Sequence, residues 1–159
     1  MKSENVNAFV QGAQSILAAV CGTSGKLGQL FVKRAPCAGL AISVVVGFSG
    51  QLSGQVVYTM DEDCGLYLAS KVMMGAPVAA MDDMAKSAVS ELANIISGNV
   101  AATLFNQGVI VDITAPTFLD VSDVQFAFIK PGSKLLCVPM QLDGGRAPLT
   151  FEIDLNLGS

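Results

Sequence analysis

Ser87, Glu91 and Asn94 stand at i, i+4 and i+7 in a stretch whose apolar residues, Ala85, Val89, Leu92, Ile96, Val100 and Thr103, recur at helical spacing. On such a helix the three polar side chains share one narrow arc, facing away from the apolar stripe. A hydroxyl, a carboxylate and an amide on one ridge can pair with a cation and exchange hydrogen bonds. Gly98 continues the line one turn further on, with Ala101 and Ala102 beside it. No charged residue occurs between Glu91 and Asn106, whereas a solvated helix face usually carries Lys and Glu in i, i+4 pairs. An exposed face this long and uncharged is expected to meet a protein partner. Gly98 weakens the helix by about 0.5–1 kcal/mol relative to Ala. Close approach of another backbone would account for that cost, and so would simple tolerance.

The remaining composition narrows the chemistry. Histidine is absent from the 159 residues, which removes Ser-His-Asp and Cys-His nucleophiles, imidazole bases and His-ligated metal sites. Neither a G-x-x-x-x-G-K-[ST] loop nor a G-x-G-x-x-G following a strand is present. Cys21, Cys37, Cys64 and Cys137 are widely spaced without a C-x-x-C pair, and read as buried free thiols rather than zinc ligands or disulfides. The formal charge is −4 and the nine basic residues form no run, so no nucleic-acid partner is expected. Met1–Asn5 lacks the apolar run of a secretory signal. The uncharged stretch Ala35–Met60 is interrupted by Ser49-Gly50-Gln51-Leu52-Ser53-Gly54, which reads as a β-hairpin rather than a membrane span. A soluble, cytoplasmic protein without membrane contact is expected.

The framework for the ridge is written twice. A first helix, about residues 5–21, is followed by a strand near 27–34 and a hairpin pairing 41–48 with 55–60. A linking helix spans about 61–75, with Asp61 as its N-cap and Gly75 and Pro77 at its end. The second unit has the long helix from Asp82 or Asp83 to about Asn106, a strand at 109–114, and a hairpin pairing 134–142 with 149–157. Leu149, Phe151, Ile153, Leu155 and Leu157 alternate with Thr150, Glu152, Asp154 and Asn156, which predicts one buried face and one wet face. An offset of 80 residues lays Gly28-Ala35-Pro36 over Gly108-Ala115-Pro116 without a gap. The expected fold is one α+β domain over 1–159, with units at about 5–60 and 82–157. Its six mainly antiparallel strands are covered by helices and related by a pseudo-two-fold.

Ser87-x3-Glu91-x2-Asn94, with Pro116 after the next strand, resembles the [D/S]-x3-E-x2-N…P pattern of the CheC/CheX phosphatase family. The run Glu91-Leu92-Ala93-Asn94-Ile95-Ile96-Ser97-Gly98-Asn99 and the Gly50–Gly54 turn strengthen the likeness, which spans nearly the whole chain. At the same offset Ser87, Glu91, Asn94 and Pro116 fall over Asn7, Gln11, Gln14 and Pro36. The first helix therefore lacks the carboxylate. Members resembling CheC carry two complete sites and those resembling CheX carry one; this chain matches the second kind.

The resemblance implies an enzyme that hydrolyses the aspartyl phosphate of a phosphorylated CheY-like response regulator. It implies Glu91 as the acceptor of a salt bridge from the receiver's lysine, and Asn94 as the amide that orients the attacking water. Gly98 would touch the receiver, Ser87 would either touch it too or simply sit on the surface, and Pro116 would fix the strand exit beside the site helix. No cofactor of its own is implied, with Mg2+ expected on the receiver, and a homodimer joined through the sheets is implied as well. A non-catalytic receiver-binding adaptor, or another flagellar or chemotaxis interaction module, would use the same ridge and stays open at this point.

Overall fold

The structure is a computed structural model and describes residues 3–34, 40–119 and 132–157. Val44, Val46 and Phe48 alternate with Ser43, Val45 and Gly47 along a strand, Ile42–Gly50, that turns sharply at Gln51 into a second, Leu52–Met60. Gly50 and Gly54 make the turn possible: φ is +115° and +144°, and a Cβ on either would strike the backbone of a neighbouring strand. In chain order the elements are α1 (Ser3–Cys21), β1 (Lys26–Leu27), β2 (Phe31–Arg34), β3 (Ile42–Gly50), β4 (Leu52–Met60), α2 (Glu62–Val72) and α3 (Asp83–Asn106). Then come β5 (Val111–Ile113), β6 (Thr117–Leu119), β7 (Lys134–Gln141) and β8 (Leu149–Leu157). All strand pairs are antiparallel, in the order β1-β7-β8-β4-β3-β5, with β2 also on β7 and β6 also on β3. Exchanging β1–β4 for β5–β8 turns this order into its own reverse, as a two-fold through the β4–β8 pair requires. Each unit lends its first strands to the other's hairpin.

Among the described residues the expected six strands become eight, because both outer strands are broken. Ile113 pairs with Phe48 and Phe118 with Val44. Both face the helices although five residues apart, and side chains alternate with period two. One extra residue among Thr114, Ala115 and Pro116 resolves the mismatch as a β-bulge, held where Thr114 N–H donates to the Gly47 carbonyl at 2.9 Å. Pro116, which lacks an N–H, is suited to this place. The first unit repeats the device at Gly28, Gln29 and Leu30 opposite Pro139, where Gly28 N–H donates to the Pro139 carbonyl at 2.8 Å.

These registers correct the gap-free alignment. The offset of 80 carries the helices: buried Asn5, Ala8, Phe9, Gly12, Ala13 and Leu17 fall over buried Ala85, Ala88, Val89, Leu92, Ala93 and Ser97. Beyond them α3 runs five residues further than α1, and the outer strands correspond six residues out of step. Leu30, not Pro36, therefore stands where Pro116 does; Pro36 and Cys37 lie outside the described residues.

The core lies between the sheet and the helices, filled by Phe9, Leu17, Phe48, Tyr58, Leu92, Ile96, Leu104, Phe151 and their neighbours. The opposite face is not wet as expected. Val57, Leu135, Cys137 and Glu152 are fully buried there, and Lys33 Nζ reaches Glu152 Oε1 at 2.7 Å. Alternation reports that a strand has two different faces; it does not report whether the polar one stays in water.

Candidate functional site on helix α3

Asp82 starts α3 by accepting a hydrogen bond from Ala85 N–H at 2.9 Å, and α2 begins likewise at Asp61 with Cys64 N–H at 2.8 Å. By length and apolarity α3 could cross a bilayer. Here it is a core helix. Val89, Leu92, Ile96, Val100 and Leu104 are buried, and α1 crosses so closely at Gly12 that a Cβ there would meet Val100 Cγ2 at 2.9 Å. The Tyr58 hydroxyl, from the central strand β4, lies 2.5 Å from Ser97 Oγ, with both groups sealed from solvent. Burial pushes the Tyr58 phenol up, and the Ser97 hydrogen bond offsets that only in part. This bond pins the rotation of α3 one turn beyond Asn94.

Sequence reasoning did not single out Ser97 or Tyr58. The available signal was a serine on the buried stripe, aligned with Leu17, which must find a partner when buried. Tyr58→Phe strands the serine hydroxyl and should cost about 1–3 kcal/mol. Adding Ser97→Ala should restore most of it. Denaturant midpoints of the two variants check this.

With the helix so fixed, Ser87 and Glu91 are exposed and Asn94 half-buried along the free side. Among the described residues neither Glu91 nor Asn94 has a hydrogen-bond or ion-pair partner. Gly98 follows on the same line, and a Cβ built there meets nothing within 4 Å among the described residues, so no packing among them demands glycine. Pro116 lies in the outer-strand bulge; two residues on, the Phe118 ring centroid lies 5.8 Å from Lys86 Nζ at the start of α3. The strand exit and the helix start are thus linked.

The equivalent arc of α1 differs. Asn7 and Gln11 are exposed, but Gln14 Nε2 donates to the Gly25 carbonyl at 2.9 Å and is committed to holding its own loop. Among the described residues no three His, Cys, Asp or Glu side chains converge. Cys21 and Cys64 are buried free thiols, with burial pushing Cys21 up to about 11 and Cys64 up to about 12, and Cys137 is buried as well.

Set against known families, residues 42–141 match the description "Chemotaxis phosphatase CheX". The chain belongs to this family. The CheY-P phosphatase CheX of Thermotoga maritima is 28% identical over 142 residues, which cover 89% of this chain and 90% of that one. A CheX–CheY–BeF3–Mg2+ complex from Borrelia burgdorferi superposes with a TM-score of 0.76 at 28% identity, over 95% of this chain and 97% of that one. The CheX chemotaxis protein of Desulfovibrio desulfuricans shares the fold, with a TM-score of 0.83 at 23% identity over 96% and 99% of the two chains. Family membership and the α+β fold thus agree with the sequence reading.

Proposed function

We propose that the α3 ridge hydrolyses the aspartyl phosphate of a CheY-like receiver, with Glu91 and Asn94 as its catalytic residues. One observation carries this: a carboxylate and an amide without partners among the described residues share the free side of a helix whose opposite side is locked into the core. At i, i+3 their Cβ atoms are about 5–6 Å apart, close enough to enter one active site together. Glu91 takes the ion pair from the receiver's active-site lysine and anchors the helix over the phosphoryl group. Asn94 then accepts a hydrogen bond from a water and holds it in line with the phosphorus. Water oxygen bonds to phosphorus, the bond to the aspartyl oxygen breaks, and the aspartate leaves as a carboxylate with inorganic phosphate as product. An amide suits this place because it adds no negative charge beside the phosphate. When Mg2+ is bound by the receiver it neutralises phosphoryl charge.

Ser87 and Gly98 extend the contact, the latter because an approaching backbone meets no side chain. Pro116 acts structurally, through the bulge. The commitment of Gln14 to Gly25 supports one site per chain. The Thermotoga and Borrelia relatives, named for action on or assembly with CheY, support the same partner. The chain is read as one domain over 1–159, with units at about 5–60 and 82–157 joined by the helix at 61–75, acting in the cytoplasm. The test follows the phosphate of a labelled receiver with increasing protein. Decay is expected to accelerate with dose for the wild type, and Glu91→Ala should weaken both binding and rate; tight binding without faster decay would make the chain an adaptor instead.

A homodimer is proposed through the outer strand of the first unit. Leu27, Leu30, Phe31 and Val32 are 41–59% exposed there, and β1 and β2 leave their outer edge unpaired among the described strands. Val32→Lys should shift the solution mass from dimer to monomer while leaving the fold intact. A wild-type monomer at micromolar concentration would refute the dimer.

A further inference from the structure

A groove of about 490 Å³ opens between the end of α2 and the first turns of α3. Val72, Met73 and Met84 give it an apolar lining, while Asp83, Ser87 and Glu91 stand on its α3 side. Met84 is 67% exposed, and Met74, next in the chain after Met73, is 97% exposed. Met74 holds φ +60°, a left-handed conformation unfavourable for a side chain of this kind. The turn is nevertheless well tied: Gly75 N–H donates to the Ser70 carbonyl at 2.8 Å, and Ser70 Oγ to the Ala76 carbonyl at 2.7 Å.

We infer that this methionine-lined groove is the receiver's second point of attachment, taking an apolar side chain that neighbours the receiver's active-site lysine. The inference rests on the proposed function, because it takes the receiver to be the molecule that Glu91 binds. Three features choose this occupant. The groove is continuous with the ridge, since Ser87 and Glu91 belong to both. Its charges, Asp83 and Glu91, are both acidic and match an apolar residue beside a cation. The third is size. A specific interface takes about 800 Å² per partner and needs buried apolar anchors, which a ridge of one serine, one acid, one amide and one glycine does not provide. Phe105 is also exposed on α3, at 64%, but it lies eleven residues beyond Asn94, about 16 Å along the axis. Met84 is one turn from Ser87. Unbranched methionine can reshape itself around an incoming side chain.

The groove contributes attachment and no chemistry, so its loss should appear in KM and leave kcat alone. Dephosphorylation rates are measured against receiver concentration for wild type, Met84→Lys, Met84→Leu and Phe105→Ser, alongside direct binding of beryllofluoride-charged receiver. Met84→Lys should raise KM and Kd by roughly tenfold or more with kcat within about twofold. Met84→Leu and Phe105→Ser should resemble wild type. KM and Kd unchanged in Met84→Lys, beside an active wild type, would overturn the groove assignment while the proposed function stands; so would a loss confined to Phe105→Ser. A wild type that neither binds nor dephosphorylates the receiver would remove both.

Discussion

Asn94→Ala is expected to lower the turnover of receiver phosphate by about 10²–10³ while changing receiver affinity little. The asymmetry follows from what the amide touches. Asn94 orients a water that becomes important only as phosphorus and aspartyl oxygen separate, so its hydrogen bonds strengthen toward the transition state and contribute little to the bound ground state. Its side chain is half-buried and makes no bond to the described part of the protein, so removing it strands no internal partner and the fold should be unaffected. Asn94→Asp tests the electrostatic half of the argument. The shape is kept but a negative charge is placed beside the phosphoryl oxygens, and activity should fall at least as far as in the alanine variant. Single-turnover decay at saturating protein, together with binding of a beryllofluoride-charged receiver, separates rate from affinity. Equal loss in both for Asn94→Ala would make Asn94 a docking residue.

Lys33→Met should produce a large loss of stability. Glu152 lies on β8 with its side chain fully buried, and Lys33, with about a third of its side chain exposed, reaches it from β2 at 2.7 Å. Glu152 Oε2 has no partner among the described residues, so the pair already holds a partly unsatisfied carboxylate. Removing the ammonium leaves a buried charge without compensation, which costs about 3–5 kcal/mol; the exposure of Lys33 points to the lower end. A protein of this size should then melt about 6–12 °C earlier. Substituting both partners, Lys33→Met with Glu152→Leu, should recover most of the loss, because neither charge then needs solvating. Calorimetry on the two variants decides it. A loss equal in both would mean that Lys33 contributes packing rather than charge.

Legibility in the sequence divided along the range of the interactions involved. Within α3 the apolar repeat, the Asp82 cap and the arc of Ser87, Glu91, Asn94 and Gly98 depend only on neighbours a turn away, and all could be read directly. The helix alignment at 80 residues was visible for the same reason. The bulges were not. Whether Thr114, Ala115 and Pro116 hold one residue too many depends on Gly47, a partner 67 residues distant, and no local pattern reports that register. Pro36 and Pro116 therefore looked equivalent when the strands place Leu30 opposite Pro116 in the repeat. Glu152 was misread because strict alternation is the usual mark of a solvated face, whereas here it is buried beside Val57, Leu135 and Cys137 and paired with Lys33 on a strand 119 residues away. The inert state of Gln14 was open to sequence only as a missing carboxylate; its hydrogen bond to Gly25 requires the loop after α1 to fold back.

The most direct measurement is a structure of this protein bound to a beryllofluoride-charged CheY-like receiver. The Glu91 carboxylate should lie within hydrogen-bond distance of the receiver's active-site lysine, and the Asn94 amide should face the phosphoryl mimic with room for one water. A complex in which the receiver docks elsewhere, leaving Glu91 and Asn94 in bulk solvent, would contradict the catalytic role given to this ridge.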